Sequence, residues 1–126
     1  APVPGATPER TQWATDLLAR LGMPKTSENI RAMTAWAQAE GTAAQFNPLA
    51  TTQGAEGATK FNSVGVKNYV SYEQGLQATV AAMTNGRYEP VLAALRTGTS
   101  ADAVGQAVAN SPWGTGELML RVLHSG

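Results

Sequence analysis

The chain has 126 residues, with nine Lys plus Arg, nine Asp plus Glu, one His and no Cys. A chain of this length suits one domain and buries roughly two-thirds of its unfolded surface. Zero net charge and a charged fraction of 14% leave no basic face for nucleic acid or an anionic membrane. The lack of Cys removes thiol nucleophiles, disulfides and Cys-ligated metals.

Residues 1–7 are Pro-rich and uncharged, and read as an N-terminal tail or linker without the apolar core of a signal peptide. Thr7 and Pro8 then form a helix start, cap followed by first-turn proline. Trp13, Leu17, Leu18 and Leu21 lie on one side of that helix, which stops at Gly22 before Pro24. Thr26 or Ser27 caps the next helix, which closes on Glu40 with Gly41 behind it.

At about 100° per residue, Glu40 falls between Trp36 and Met33, beside Ile30 and Ala37. That is the apolar stripe of an amphipathic helix, with Arg31, Thr34 and Gln38 on another face. Desolvation and the negative end of the helix dipole both raise the pKa of a carboxyl placed there. A general acid near neutral pH needs such a shift. The helix alone leaves two readings open: a held acid, or a helix-end Glu turned to water. His124, near the chain end, is a poor foundation for a triad or a zinc site, because both need a His held by surrounding contacts. Carboxylate chemistry is therefore the main enzymatic option, and no cofactor or metal site is expected.

Residues 41–70 are rich in Gly, Thr and Asn and have little helical period. An ordered loop this long is usually functional. Residues 64–70 alternate enough for a short strand or hairpin arm. Ser71-Tyr72-Glu73-Gln74 is a capping box, opening a helix with Leu76, Val80 and Met83 on one face. Asn85-Gly86 ends it. Pro90 opens a short helix that stops at Gly98, and Thr99-Ser100 starts another with Val104, Ala107 and Val108. Residues 110–116 form a loop, and a last helix carries Leu118, Met119, Val122 and Leu123. The expectation is a mainly α domain of about six helices, with a long polar loop or small β-hairpin after Glu40. No run approaches the ~18 apolar residues of a membrane span.

Several of these pieces together resemble a known family. They are Ala39-Glu40-Gly41, Asn47-Pro48-Leu49-Ala50-Thr51-Thr52, Phe61-Asn62-Ser63-Val64-Gly65-Val66-Lys67-Asn68-Tyr69, Gly75-Leu76-Gln77-Ala78-Thr79, Asn85-Gly86-Arg87-Tyr88, and Ala109-Asn110-Ser111-Pro112-Trp113-Gly114-Thr115-Gly116. The set resembles the lysozyme-like modules of actinobacteriophage endolysins over roughly residues 27–120. Its order is also similar to that of bacterial cell-wall glucosaminidases and lytic transglycosylases. The resemblance implies one lysozyme-like domain over residues 8–126 that acts on the bacterial cell wall. Peptidoglycan glycan strands would be its partner, without nucleic acid or membrane insertion, and the protein is expected to be a monomer.

Glu40 matches the family's catalytic acid by position. The loop after it would line a sugar groove. Asn47, Thr51, Thr52, Asn62 and Asn68 would offer short polar groups, and Tyr69 and Trp113 would offer faces for stacking on sugars. A two-carboxylate glycosidase needs a partner at about 5–9.5 Å from the acid. Glu56, the only acidic residue in the long loop, is the candidate. Without it, Glu40 would serve first as acid and then as base, for internal attack by a sugar hydroxyl or assistance by the N-acetyl group. The alternative function is a non-catalytic wall-binding or virion-structural module with the same fold.

Overall fold

Six α-helices and one short hairpin span residues 3–125, the part of the chain that the computed structural model describes. They are α1 (Pro8–Leu21), α2 (Ser27–Glu40), β1 (Thr59–Lys60), β2 (Lys67–Asn68), α3 (Tyr72–Met83), α4 (Glu89–Thr97), α5 (Ala101–Ala109) and α6 (Gly116–His124). The local signals that start these helices work as expected. Thr7, Thr26, Ser71 and Ser100 each accept a backbone N–H from three residues on. Gly22, Gly41 and Gly98 end α1, α2 and α4 in the left-handed region.

The capping box at Ser71 differs in one arm. Gln74 accepts from the N–H of Val70 instead of Ser71, and its Nε2 donates to the carbonyl of Glu56 at 2.7 Å. This ties the long loop to α3. Glu73 stays out of the cap and pairs with Arg20 of α1.

Helix α2 is the centre of the molecule, packed on α1, α5 and most extensively α6. Every residue from 32 to 37 is buried, so the polar face expected through Thr34 does not exist there. Thr34 is buried because its hydroxyl bonds back to the carbonyl of Ile30 at 2.9 Å and needs no water. Trp36, fully buried, is the largest side chain of this core. Replacing such a residue with Ala typically costs about 3–5 kcal/mol.

Two other expectations change. The strand over residues 64–70 shrinks to Lys67–Asn68, paired antiparallel with Thr59–Lys60 in the register Thr59↔Asn68 and Lys60↔Lys67. Residues 3–7 are not a free tail: Val3 is only 4% exposed within the core, and Arg10 donates to the carbonyl of Gly5. The buried Val3 side chain and the hydrogen bonds from Ala6 N–H to the Val3 carbonyl and from Thr7 N–H to the Gly5 carbonyl hold the segment together. Residues 1 and 2 lie outside the described part. Among the described residues, no helix is long and apolar enough to cross a membrane.

Candidate active site

Glu40 is the last residue of α2 and is partly buried. Its carboxylate oxygen Oε2 accepts the hydroxyl of Thr115 at 2.6 Å. Thr115 sits at the N-cap position of α6, yet it makes no side-chain bond to that helix. A cap is worth about 1 kcal/mol, so this hydroxyl gives up local helix stability to hold Glu40. Its position depends on the crossing of α5 and α6. A Cβ on Gly116 would lie 2.1 Å from the amide of Ala109 and 2.3 Å from the carbonyl of Gly105. Only glycine permits that approach.

Aromatic rings complete the surroundings. Trp113 meets Trp36 edge-on with centroids 5.0 Å apart, and Tyr88 meets Trp113 at 5.2 Å. The indole N–H of Trp113 donates to the carbonyl of Leu49 at 3.1 Å. That of Trp36 is buried without a partner. Burial pushes the Glu40 carboxyl above the usual carboxylate range, and the Thr115 hydroxyl and the nearby indoles of Trp36 and Trp113 offset part of this. Of the three, only the Thr115 bond to the carboxylate is formed, since the Trp113 N–H is committed elsewhere and that of Trp36 stands free. Among the described residues Glu40 forms no ion pair. The position at the helix C-terminus adds to the same bias.

A polar groove of about 280 Å³ runs along Trp113, and Thr51, Thr52, Gln53, Asn85, Arg87 and Tyr88 are also in its walls. Glu40 is not in the lining; Trp113 connects it to the groove. Three of the expected sugar-facing residues, Thr51, Thr52 and Trp113, therefore come together. A more apolar groove of about 320 Å³ lies elsewhere, lined by Trp13, Phe46, Tyr72 and Leu76. Thr42, two residues after Glu40, lines this groove, and Thr115 lines neither; only the polar groove contains Trp113, whose ring packs on Trp36 of α2.

The other expected residues serve the loop itself. Asn47 is fully buried: Nδ2 donates to the carbonyls of Thr51 and Lys67, each at 2.8 Å, and Oδ1 accepts the N–H of Thr51 at 2.9 Å. Both its donors and one acceptor position are spent on clamping a turn in which Phe46 and Ala50 hold positive φ of 54° and 57°, so this fully buried side chain serves the loop. Tyr69 is 1% exposed, its hydroxyl donates to the carbonyl of Gln53 at 2.6 Å, and burial pushes its pKa to about 12. It is a pillar under the loop and presents no face for stacking. Asn62 closes the hairpin by accepting the N–H of Val66, and Asn68 joins β2 to the loop by accepting the N–H of Gln45. Neither lines the groove. Glu56 lies on an exposed turn beside a different hollow against α3, whose walls contain neither Trp113 nor Thr115, and it shares no hydrogen bond with Glu40.

The sequence reading placed Trp36 beside Glu40 but missed Thr115, and Arg87, Asn85 and Tyr88 as groove residues. Thr115 had one available signal, a threonine immediately before a helix, but that pattern normally means a cap. His124 is exposed and pairs with Asp102 at 3.0 Å. Among the described residues, no group of three or more His, Asp or Glu could hold a metal.

No protein-family model, curated protein or solved structure matches this chain.

Proposed function

We propose that the protein cleaves glycosidic bonds in bacterial peptidoglycan, on a lysozyme-like scaffold, with Glu40 as the general acid. The observation that carries this reading is the environment of Glu40. Its carboxyl is partly buried, raised in pKa, without an ion pair among the described residues, and oriented by the Thr115 hydroxyl. Protonating a glycosidic oxygen needs a carboxyl kept neutral and fixed in direction. The order of elements supports the scaffold: a buried helix ends at the acid, a loop with a small hairpin follows, and later helices close the site.

Because Glu56 is exposed and absent from the walls of the polar groove, we favour a route with one protein carboxylate. Glu40 gives its proton to the leaving oxygen as the C1–O bond breaks. The resulting carboxylate then takes a proton from the attacking group. If that group is the sugar's own C6 hydroxyl, the product is a 1,6-anhydro sugar and no water is consumed. If the N-acetyl oxygen assists, water completes the reaction and the product is reducing. Mass spectrometry of muropeptides released from purified walls distinguishes these products, which differ by one water. Intact walls after incubation with the folded protein would overturn the proposal.

One observation favours a second reading, a non-catalytic wall-binding module: Glu40 is not in the groove lining. Binding to walls that is unaffected by Glu40→Gln, without any released fragments, is the result expected of such a module.

A further inference from the structure

The polar groove along Trp113 has a single charged side chain in its walls, Arg87. Arg87 is exposed, and among the described residues it takes part in no ion pair. Among the described residues its guanidinium has no hydrogen-bond partner, while its backbone is held from both sides. Asn85 Oδ1 accepts the Arg87 N–H at 2.9 Å, across Gly86 at φ 95°. On the other side, the ring of Tyr88 packs against Trp113 before α4 begins at Glu89. A turn anchored at both ends therefore presents one unneutralised guanidinium to a groove whose other walls are neutral.

Resting on the reading above, in which the groove takes a glycan strand, we infer that Arg87 binds a carboxylate of that strand and makes the groove selective for acidic N-acetylated glycans over neutral ones. A planar guanidinium pairs with a carboxylate through two parallel N–H···O bonds, which a hydroxyl or amide cannot match. A neutral strand of N-acetylglucosamine has no such group. Peptidoglycan has two sources of it: the lactyl carboxylate of a muramic residue without its peptide, and the carboxylates of the stem peptide.

The test uses the Glu40→Gln protein, to prevent turnover, titrated calorimetrically with four soluble tetrasaccharides. These are chitotetraose, a peptide-free peptidoglycan tetrasaccharide, its stem-bearing counterpart, and the stem-bearing one with its carboxyls amidated. An ion pair in a solvated groove predicts about 1.5- to fivefold tighter binding of the carboxylate-bearing ligands, shrinking as salt rises. Arg87→Gln, with unchanged circular dichroism, should abolish that preference and leave chitotetraose binding unaltered. Arg87→Lys should keep part of it. Preference for the peptide-free ligand identifies the lactyl group, and preference confined to the stem-bearing ligand that amidation removes identifies the peptide. Equal weakening of neutral and acidic ligands by Arg87→Gln, no preference before the substitution, or no binding at all would each overturn the inference. An Arg87-dependent preference in a protein that never cleaves walls would sink the catalytic reading alone. Cleavage that depends on Glu40, without that preference, would sink this one alone.

Discussion

Thr115→Val removes the hydroxyl that donates to Glu40 at 2.6 Å and keeps a β-branched side chain of nearly the same volume. Its effects on stability and on activity both have a defined sign. When Glu40 is ionised the lost bond is charge-assisted, and in this partly exposed setting it is worth about 1–2 kcal/mol. When Glu40 is protonated the lost bond is neutral, worth about 0.5–1 kcal/mol. At about 2.1 cal/mol/K per residue over 126 residues, 1–2 kcal/mol corresponds to a Tm loss of about 4–8 °C at alkaline pH. The smaller figure gives about 2–4 °C at acid pH. The hydroxyl lowers the Glu40 pKa against the larger effect of burial, so its removal raises that pKa further. The alkaline limb of wall cleavage should move to higher pH, because the acid form persists longer. Thermal scans across pH, NMR titration of the Glu40 carboxyl and turbidity loss of wall suspensions read these effects. A thermal penalty that is equal at acid and alkaline pH, or a limb that moves to lower pH, would refute the assigned role of Thr115.

Four further outcomes are expected. Glu40→Gln should lower cleavage by about 10²–10⁴-fold in a folded protein, the usual contribution of general acid–base catalysis; full residual cleavage would end the assignment. Because the folded pKa of Glu40 lies above its unfolded value, the native state binds more protons between the two, and stability from this group is lost as pH rises through the folded pKa. Glu40→Gln should remove that decline, which paired urea titrations at several pH values measure. Asn47→Ala should cost about 2–4 kcal/mol, because it deletes three hydrogen bonds and leaves buried backbone groups unpaired; an unchanged urea midpoint would show that the loop does not depend on this clamp. Glu56→Gln should leave the rate of cleavage unchanged, whereas a loss as complete as that of Glu40→Gln would restore the two-carboxylate mechanism.

Helix boundaries were legible from neighbours in the chain, because a cap is a contact between residues three or four apart. Thr7 with Pro8, Thr26, Ser71 and Ser100 at the starts, and Gly22, Gly41 and Gly98 at the ends, carry this information locally. The end-of-helix position of Glu40 beside Trp36 was legible for the same reason, as was the presence of a long non-helical insert after it.

The direction in which each polar side chain of that insert points was not legible. An irregular loop has no period, so nothing in the local sequence separates an Asn that faces a ligand from one that closes the loop. Asn47, Asn62, Asn68 and Tyr69 all satisfy loop backbone, and two positive φ values fall on Phe46 and Ala50, where no glycine marks them. The partners of Glu40 lie farther along the chain still. Thr115 is 75 residues away, and it reaches the acid only because α6 crosses α5 at a glycine. Arg87 meets Thr51 and Thr52 only where the turn after α3 faces the loop across the groove. Local sequence thus placed the acid. Tertiary packing chose its partners, because those contacts form only once the whole chain has closed on α2.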